Sequence, residues 1–145
     1  MARVPAAYSQ RMDRPRVLLA EDHPGVAEQL RRLLEPEFEV VATVGDGGAL
    51  LSAADETRPD VVVTDIMMPG LDGITATAAL LARRPGTRVV LVTVHDDVEL
   101  AERGYAAGAL ACVLKLTAAD ELVPAVRAAI RGERQVSPRL RDPPV

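Results

Sequence analysis

The side chains best suited to chemistry in this sequence stand at or just after the ends of short apolar runs. They are a carboxylate pair, a third carboxylate, a hydroxyl and an ammonium group: Glu21, Asp22, Asp65, Thr93 and Lys115. Carboxylates can bind a hard divalent cation, and one held at a strand end can also attack phosphorus as a nucleophile. An ammonium group and a hydroxyl can stabilise phosphoryl oxygens. These residue types indicate phosphoryl transfer, provided that the fold brings the side chains to one place.

Lys115 is the only lysine of the chain, whereas the other sixteen basic residues are arginines. A composition that otherwise avoids lysine keeps one at the end of an apolar run. A compact ammonium group suits a single phosphate or carboxylate oxygen, and a planar guanidinium fits such a place less well. This usage indicates that Lys115 has a specific role.

Five short apolar runs, nearly continuous and rich in β-branched residues, predict strands that are buried on both faces. They are RVLLA (16–20), FEVVATV (38–44), VVVTD (61–65), RVVLVT (88–93) and LACVLK (110–115). Segments between and after these runs have apolar residues at helical spacing, which predicts five helices. Alternating strands and helices predict an α/β fold with a flavodoxin-like, doubly wound, five-stranded parallel sheet of order 2-1-3-4-5.

The carboxyl ends of parallel strands share one edge of a sheet, and open α/β folds bind ligands at that edge. In the order 2-1-3-4-5 the first and third strands are neighbours, which brings Glu21 and Asp22 to Asp65. Three such charges repel one another unless a cation neutralises them, and Mg²⁺ prefers oxygen ligands. Asp65 is then the predicted nucleophile, and Lys115 and Thr93 approach from the other side.

The composition is that of one globular domain. The 145 residues are 48% hydrophobic and 26% charged, with a formal net charge of −4. Residues 16–131 carry 11 basic and 18 acidic side chains, a net charge of −7 that argues against direct binding of DNA or RNA. A single cysteine excludes an intramolecular disulfide, and no segment has the length and apolarity of a membrane span or signal peptide. We therefore expect a cytoplasmic protein that does not contact a membrane.

The sequence resembles the receiver domains of two-component response regulators over about residues 15–133. LLAEDHPGV contains the acidic pair, VVVTDIMMPGLDG the phosphoacceptor loop, VVLVTVHDD the switch hydroxyl and GALACVLK the lysine. The segments EDHPGVAEQLRRLLE and AAIRGERQVSP are most similar to receivers of the NarL/FixJ type, which usually precede a LuxR-type helix-turn-helix. The expected organisation is a mobile tail at 1–14, a receiver domain at 15–133 and a linker or tail at 134–145. The chain is then either a stand-alone receiver or a truncated regulator.

The resemblance implies a role for each candidate residue. Asp65 would accept a phosphoryl group from a sensor histidine kinase, Thr93 would be the switch hydroxyl, and Lys115 would bind the phosphoryl group. Four groups would hold Mg²⁺ or Mn²⁺: Glu21, Asp22, Asp65 and the backbone carbonyl of Met67. The domain would catalyse only its own phosphorylation and dephosphorylation, so it would not be a turnover enzyme. Its partners would be the kinase, a downstream protein target or a missing C-terminal output domain, and a second copy in a homodimer.

Two positions depart from the family pattern. Many receivers have a rotating Tyr or Phe three residues before the lysine, and this chain has Cys112 there, in the switch region together with Thr93. Many also have proline after the lysine, where this chain has Leu116. We therefore expect no slow prolyl isomerisation at that bond, and the usual aromatic coupling to Thr93 is open to question.

Other interpretations stand beside these. Asp22 alone would be taken for a helix cap before Pro24, and Cys112 for a small core residue rather than a redox sensor. His23 and His95 are expected to flank the site without binding metal. Two other functions fit the architecture. One is a pseudo-receiver that binds partners without phosphorylation, and the other is a phosphatase with an aspartyl nucleophile.

Overall fold

The structure, a computed structural model, describes residues 14–137, in which strands and helices alternate. The elements are, in order, β1 (Arg16–Ala20), α1 (Pro24–Leu34), β2 (Glu39–Val44), α2 (Gly47–Thr57), β3 (Val61–Asp65), α3 (Gly73–Arg83), β4 (Arg88–Thr93), α4 (Val98–Ala107), β5 (Ala111–Leu114), a 3₁₀ turn (Lys115–Thr117), α5 (Ala118–Ile130) and β6 (Gln135–Val136). The predicted tail at 1–14 lies outside the described residues except for Arg14.

The strands form one parallel sheet of order β2-β1-β3-β4-β5-β6. The predicted α/β fold with five strands in the order 2-1-3-4-5 and five helices is therefore confirmed. The sheet also has a short sixth strand, β6, which extends it past the predicted domain boundary at residue 133. A strand of two residues is too short to produce an apolar period that could be detected in the sequence.

The sheet separates two apolar cores because successive side chains of a strand point to opposite faces. In β1, Leu18 and Ala20 belong to the core beneath α2, α3 and α4, whereas Val17 and Leu19 belong to the core beneath α1 and α5. All four side chains are fully buried. The central strands therefore have no solvent-exposed face, which explains their nearly continuous apolar sequences.

The helix starts are fixed by capping side chains. Asp46, Asp72 and Asp97 cap α2, α3 and α4, each accepting a hydrogen bond from a backbone N–H of the first turn. At α1 the cap is His23, whose Nδ1 accepts from the backbone N–H of Val26. The interpretation of Asp22 as a cap is therefore wrong, and its carboxylate is left for other contacts.

Within residues 14–137 no helix has the length and apolarity needed to cross a membrane.

Candidate functional site

The carboxylates predicted to converge do so at the carboxyl edge of the sheet. Strands β1 and β3 are neighbours, with Ala20 paired to Thr64, so the residues that follow them emerge side by side. One carboxylate oxygen from each of Glu21, Asp22 and Asp65 lies within 4.8 Å of the others. Glu21 and Asp65 are buried, whereas Asp22 is exposed. This set of oxygen donors has the composition that a hard divalent cation requires.

Lys115 joins this cluster from the opposite side. Its Nζ donates a hydrogen bond to Asp65 Oδ2 at 2.8 Å and lies 2.5 Å from Glu21 Oε1. The side chain must pass the end of β4 to make these contacts, because β4 lies between β3 and β5 in the sheet. The second Glu21 oxygen, Oε2, accepts a hydrogen bond from the backbone N–H of His23 at 3.0 Å. The ammonium group thus partly neutralises two buried carboxylates.

The electrostatics of the cluster favour a further cation. Burial raises the pKa of Glu21, and the ion pair with Lys115 and the hydrogen bond from the His23 backbone only partly oppose this effect. The neighbouring charge of Asp65 raises the pKa further. Burial lowers the pKa of Lys115, but its hydrogen bond to Asp65 and its ion pair with Glu21 outweigh burial and raise the pKa above its ordinary value. One ammonium group shared between two carboxylates, with Asp22 beside them, leaves excess negative charge.

The loop after β3 holds Asp65 in place. The Met67 backbone N–H donates to Asp65 Oδ1 at 3.3 Å, and Thr64 Oγ1 donates to the Asp65 carbonyl at 3.0 Å. The backbone N–H of Gly73, at the start of α3, donates to the Ile66 carbonyl at 2.8 Å. A Cβ atom on Gly73 would overlap the Asp65 carbonyl oxygen, so only glycine lets α3 begin this close to the strand end. The predicted ligand role of the Met67 carbonyl stays a prediction.

Thr93 ends β4 and is almost completely buried. Its Oγ1 accepts a hydrogen bond from the backbone N–H of His95 at 3.1 Å. Among the described residues no hydrogen bond joins Thr93 to Asp65 or Lys115. The hydroxyl oxygen therefore holds the first turn of the β4–α4 connection, and a rotation of the side chain toward the acidic site would break this bond.

Cys112 lies in the middle of β5 and is fully buried. Burial raises the pKa of its thiol to about 12. A neutral, enclosed thiol of this kind packs as a small apolar side chain and reacts slowly with oxidants. Its predicted place in the switch region stays a prediction.

Sequence reasoning assigned no role to Tyr105, which the structure places beside Cys112. Burial raises the pKa of Tyr105 to about 12, and its side chain packs against the core that contains Cys112. The guanidinium of Arg134 lies 4.1 Å from the ring centroid. The chain has only two tyrosines and one phenylalanine, and that scarcity of aromatics was the available signal.

Exposed apolar side chains surround the charged site. Met67, Val94 and Leu116 are 58%, 65% and 79% exposed. A groove of about 750 Å³ opens beside Lys115 between α1 and the start of α5. Its apolar lining includes Val26, Leu30, Leu33, Val94 and Leu116. The charged site is thus bordered by a surface on which another apolar surface could pack.

Comparison with known proteins places this site in a family. The family model for the response regulator receiver domain matches residues 17–127. The chain is 37% identical over 123 residues to the transcriptional regulatory protein YxjL of Bacillus subtilis, covering 83% of this chain and 56% of YxjL. It is 34% identical to the transcriptional regulatory protein DegU of Brevibacillus brevis, covering 86% of this chain and 53% of DegU. The chain thus spans little more than half the length of these relatives.

Solved structures give the same result. A LuxR-family two-component response regulator from Aurantimonas superposes with a TM-score of 0.84 at 37% identity, covering 88% of this chain and 92% of that one. The receiver domain of the response regulator NarL from Mycobacterium tuberculosis gives a TM-score of 0.79 at 33% identity, covering 83% and 98%. The chain belongs to the receiver domains of two-component response regulators, among relatives of the NarL/LuxR type.

Proposed function

We propose that this receiver domain accepts a phosphoryl group on Asp65 and that the modified domain switches a protein interaction. The observation that supports the proposal best is the contact of Lys115 Nζ with Asp65 Oδ2 at 2.8 Å, in a cluster that also contains Glu21 and Asp22. A buried carboxylate beside an ammonium group and two further carboxylates is suited to reaction at phosphorus.

In the proposed reaction an Asp65 carboxylate oxygen attacks phosphorus in line with the bond to the donor. A bond forms between that oxygen and phosphorus, and the bond between phosphorus and an imidazole nitrogen of the donor histidine breaks. Lys115 stabilises the charge on the phosphoryl oxygens, for which its compact ammonium group is suited. The Thr93 side chain then rotates, so that its oxygen leaves the His95 backbone N–H and its hydroxyl donates a hydrogen bond to a phosphoryl oxygen.

The acidic cluster fits a divalent cation. Glu21, Asp22 and Asp65, with the Met67 backbone carbonyl, are the groups that would hold Mg²⁺ or Mn²⁺, which supplies positive charge to the phosphoryl oxygens when bound. The burial of Glu21 beside Asp65 supports this assignment, because the shared Lys115 does not balance the carboxylates. Lys115 would then be free to turn from Glu21 toward the phosphoryl group.

A sensor histidine kinase is the proposed donor. The groove beside Lys115 and the exposed Met67, Val94 and Leu116 supply apolar surface directly around the reactive group. A small phosphodonor needs no such surface, whereas a protein donor must be held while its histidine reaches Asp65. The groove therefore supports a protein partner.

The proposed output is a protein contact in the cytoplasm. The contact would be made with a downstream protein or with a C-terminal output domain. Phosphorylation could also favour a homodimer. Transcriptional regulation is the role that the relatives' names give them. Direct nucleic-acid binding by residues 16–131 is not part of the proposal, since their net charge of −7 repels phosphate.

The test is incubation with Mg²⁺ and acetyl phosphate, followed by intact-mass measurement. Wild type is expected to gain the mass of one phosphoryl group, and Asp65→Asn is expected to gain none. Asp72→Asn is the matched control, because Asp72 caps α3 near the site and asparagine also caps helices. Failure of wild type to gain mass would overturn the proposal.

Two further readouts separate the alternatives. Equal binding of a downstream partner by wild type and Asp65→Asn under phosphorylating conditions would favour a pseudo-receiver. Repeated release of phosphate from an added monoester would favour a phosphatase. A sizing column run on the phosphorylated sample reports whether a homodimer forms.

A further inference from the structure

Tyr105 lies where α4, β5 and the segment after α5 meet. Its ring is partly buried against the core beneath α4, which includes Cys112 and Leu114 of β5. Arg134, the residue before β6, covers the ring at 4.1 Å from the centroid. One side chain thus contacts both the strand that leads to Lys115 and the C-terminal segment.

The C-terminal segment, residues 134–137, is held at the edge of the sheet by few contacts. Gln135 and Val136 pair with Ala111 and Cys112 of β5, and the Gln135 backbone N–H donates to the Leu110 carbonyl at 2.9 Å. The Arg134 and Gln135 side chains are exposed. A strand of two residues at a sheet edge has little stability of its own, so its position depends on the Arg134–Tyr105 contact.

Two buried hydroxyl groups in this region also lack hydrogen bonds. The Tyr105 hydroxyl and Ser137 Oγ are buried, and neither has a hydrogen-bond partner in the part of the chain that the structure describes. Buried hydroxyls in this condition reduce the stability of the arrangement that encloses them. A displacement of Tyr105 would therefore remove a contact from a segment that is already weakly held.

The acidic site can move Tyr105 through α4. Residues 94–97 connect Thr93 directly to α4, and the Thr93 hydroxyl holds the start of that connection through the His95 backbone. Helix α4 packs on the sheet with small residues, Ala101 and Gly104, the latter directly against Leu91. The larger apolar side chains of α4, Leu100 and Tyr105, are only partly buried, so fewer buried apolar contacts hold this helix in place. Tyr105 follows Gly104 and moves with it.

We propose that Tyr105 and Arg134 form a latch that holds residues 134–137 on β5, and that a shift of α4 driven by Thr93 opens it. This proposal rests on the proposed phosphorylation of Asp65. It adds a route by which phosphorylation at Asp65 affects the C-terminal segment. In this route the aromatic ring comes from α4. The position three residues before Lys115, where many receivers have Tyr or Phe, is Cys112 in this chain. The released segment leads directly into the residues after 137.

The experiment follows hydrogen exchange of the Gln135 amide by NMR in the full chain. Without phosphodonor, Tyr105→Leu and Arg134→Gln are expected to speed exchange roughly twofold to tenfold, as the loss of one cation–π contact predicts. Wild type treated with Mg²⁺ and acetyl phosphate is expected to show a similar increase. Phosphorylation of Tyr105→Leu should add no further increase, because its latch is already open.

The control variant is Arg131→Gln, which removes a nearby exposed arginine that pairs with Glu133. Its Gln135 exchange is expected to match wild type, and the amides of β3 should stay protected in every variant. Intact mass is measured on the same samples. Phosphorylated wild type with unchanged Gln135 exchange would overturn the latch and leave the phosphoacceptor function standing. Absence of the added phosphoryl mass would overturn both.

Discussion

The ammonium nitrogen of Lys115 lies 2.8 Å from Oδ2 of Asp65, although fifty positions separate the two residues in the chain. The contact passes over the end of β4, which lies between the strands that carry them. Lys115 Nζ is also 2.5 Å from Glu21 Oε1. The side chain of Lys115 is only 15% exposed, and those of Glu21 and Asp65 are 0% and 6% exposed. Loss of the Lys115 charge would therefore leave two buried carboxylates without a cationic partner.

Lys115→Met should lower the free energy of unfolding by about 3 kcal/mol in the absence of divalent cations, because it leaves two buried carboxylates without their shared cation. The measurement is urea unfolding in the presence of EDTA. Arg83→Met is the control, since the Arg83–Asp55 pair is exposed and its loss should cost less than about 1 kcal/mol. Equal stability of the two variants would show that Lys115 does not neutralise the cluster.

Lys115→Arg should keep the fold and slow the gain of phosphate. The positive charge is retained, so unfolding in urea should resemble that of wild type. The planar guanidinium cannot approach a single oxygen as a compact point charge, and a loss of about tenfold or more in phosphorylation rate is expected. The rate is read from intact mass against time with acetyl phosphate. A rate equal to wild type would mean that charge alone is sufficient at this position.

Gly73→Ala should be strongly destabilising, because the new Cβ atom would overlap the Asp65 carbonyl oxygen, which is backbone and cannot turn aside. A loss of roughly 3 kcal/mol or more is expected, at or above the upper end for overpacked sites. Gly86→Ala is the matched control, because a Cβ atom there meets nothing within 4 Å. Chemical unfolding of both variants decides the point, and a small effect at Gly73 would show that α3 can move away from Asp65 at little cost.

Much of the fold and site could be predicted because the informative residues are at strand ends. The runs at 16–20, 61–65 and 88–93 coincide with β1, β3 and β4, since strands buried on both faces read as continuous apolar sequence. The parallel order then brings Glu21 and Asp22 to Asp65 without further information. Chain order and strand direction alone were enough to place the acidic cluster.

Contacts that depend on packing could not be predicted. The spacing of Ile74, Ala78 and Leu81 indicates one face of α3, but Ala78 is exposed and Thr77 is fully buried. The Thr77 hydroxyl donates to the Gly73 carbonyl, which satisfies its polar atom inside the core. A pattern based on apolar residues alone does not identify such a threonine as buried.

The contact between Tyr105 and Arg134 had no sequence signal either, because Arg134 follows the last helix in a segment without periodicity. Strand β6 could not be predicted for the same reason, because its two residues show no periodic apolar pattern. Local sequence shows where an element starts or ends, but an exposed cation packing on a distant ring is set by the tertiary fold. The latch could therefore be recognised only from the structure.

Mg²⁺ should raise the unfolding midpoint of wild type in urea, since an ion that binds only the folded state stabilises it by mass action. Asp22→Asn should remove most of this increase and leave stability without Mg²⁺ nearly unchanged, because Asp22 is exposed and makes no ion pair among residues 14–137. Asp96→Asn, an exposed acid on the β4–α4 connection, should respond to Mg²⁺ as wild type does. An undiminished Mg²⁺ effect in Asp22→Asn would exclude Asp22 as a ligand.

Cys112 should make the domain less stable at high pH. Burial raises the pKa of its thiol from 9.0 to about 12, so the folded state keeps the proton at a pH where the unfolded chain has lost it. The contribution is fully present below pH 9 and is lost as the pH rises toward about 12. Cys112→Ala should therefore show a shallower fall in unfolding free energy over this range, although its smaller side chain lowers stability at neutral pH.

The measurement is urea unfolding at a series of pH values, and the difference between wild type and Cys112→Ala isolates the thiol from Tyr105, whose raised pKa acts in the same direction. The same burial should make the native thiol react with a disulfide reagent only as fast as the domain opens. Addition of urea below the unfolding midpoint should then speed the reaction. Parallel pH profiles for the two proteins, or rapid labelling of the native state, would show that Cys112 reaches solvent.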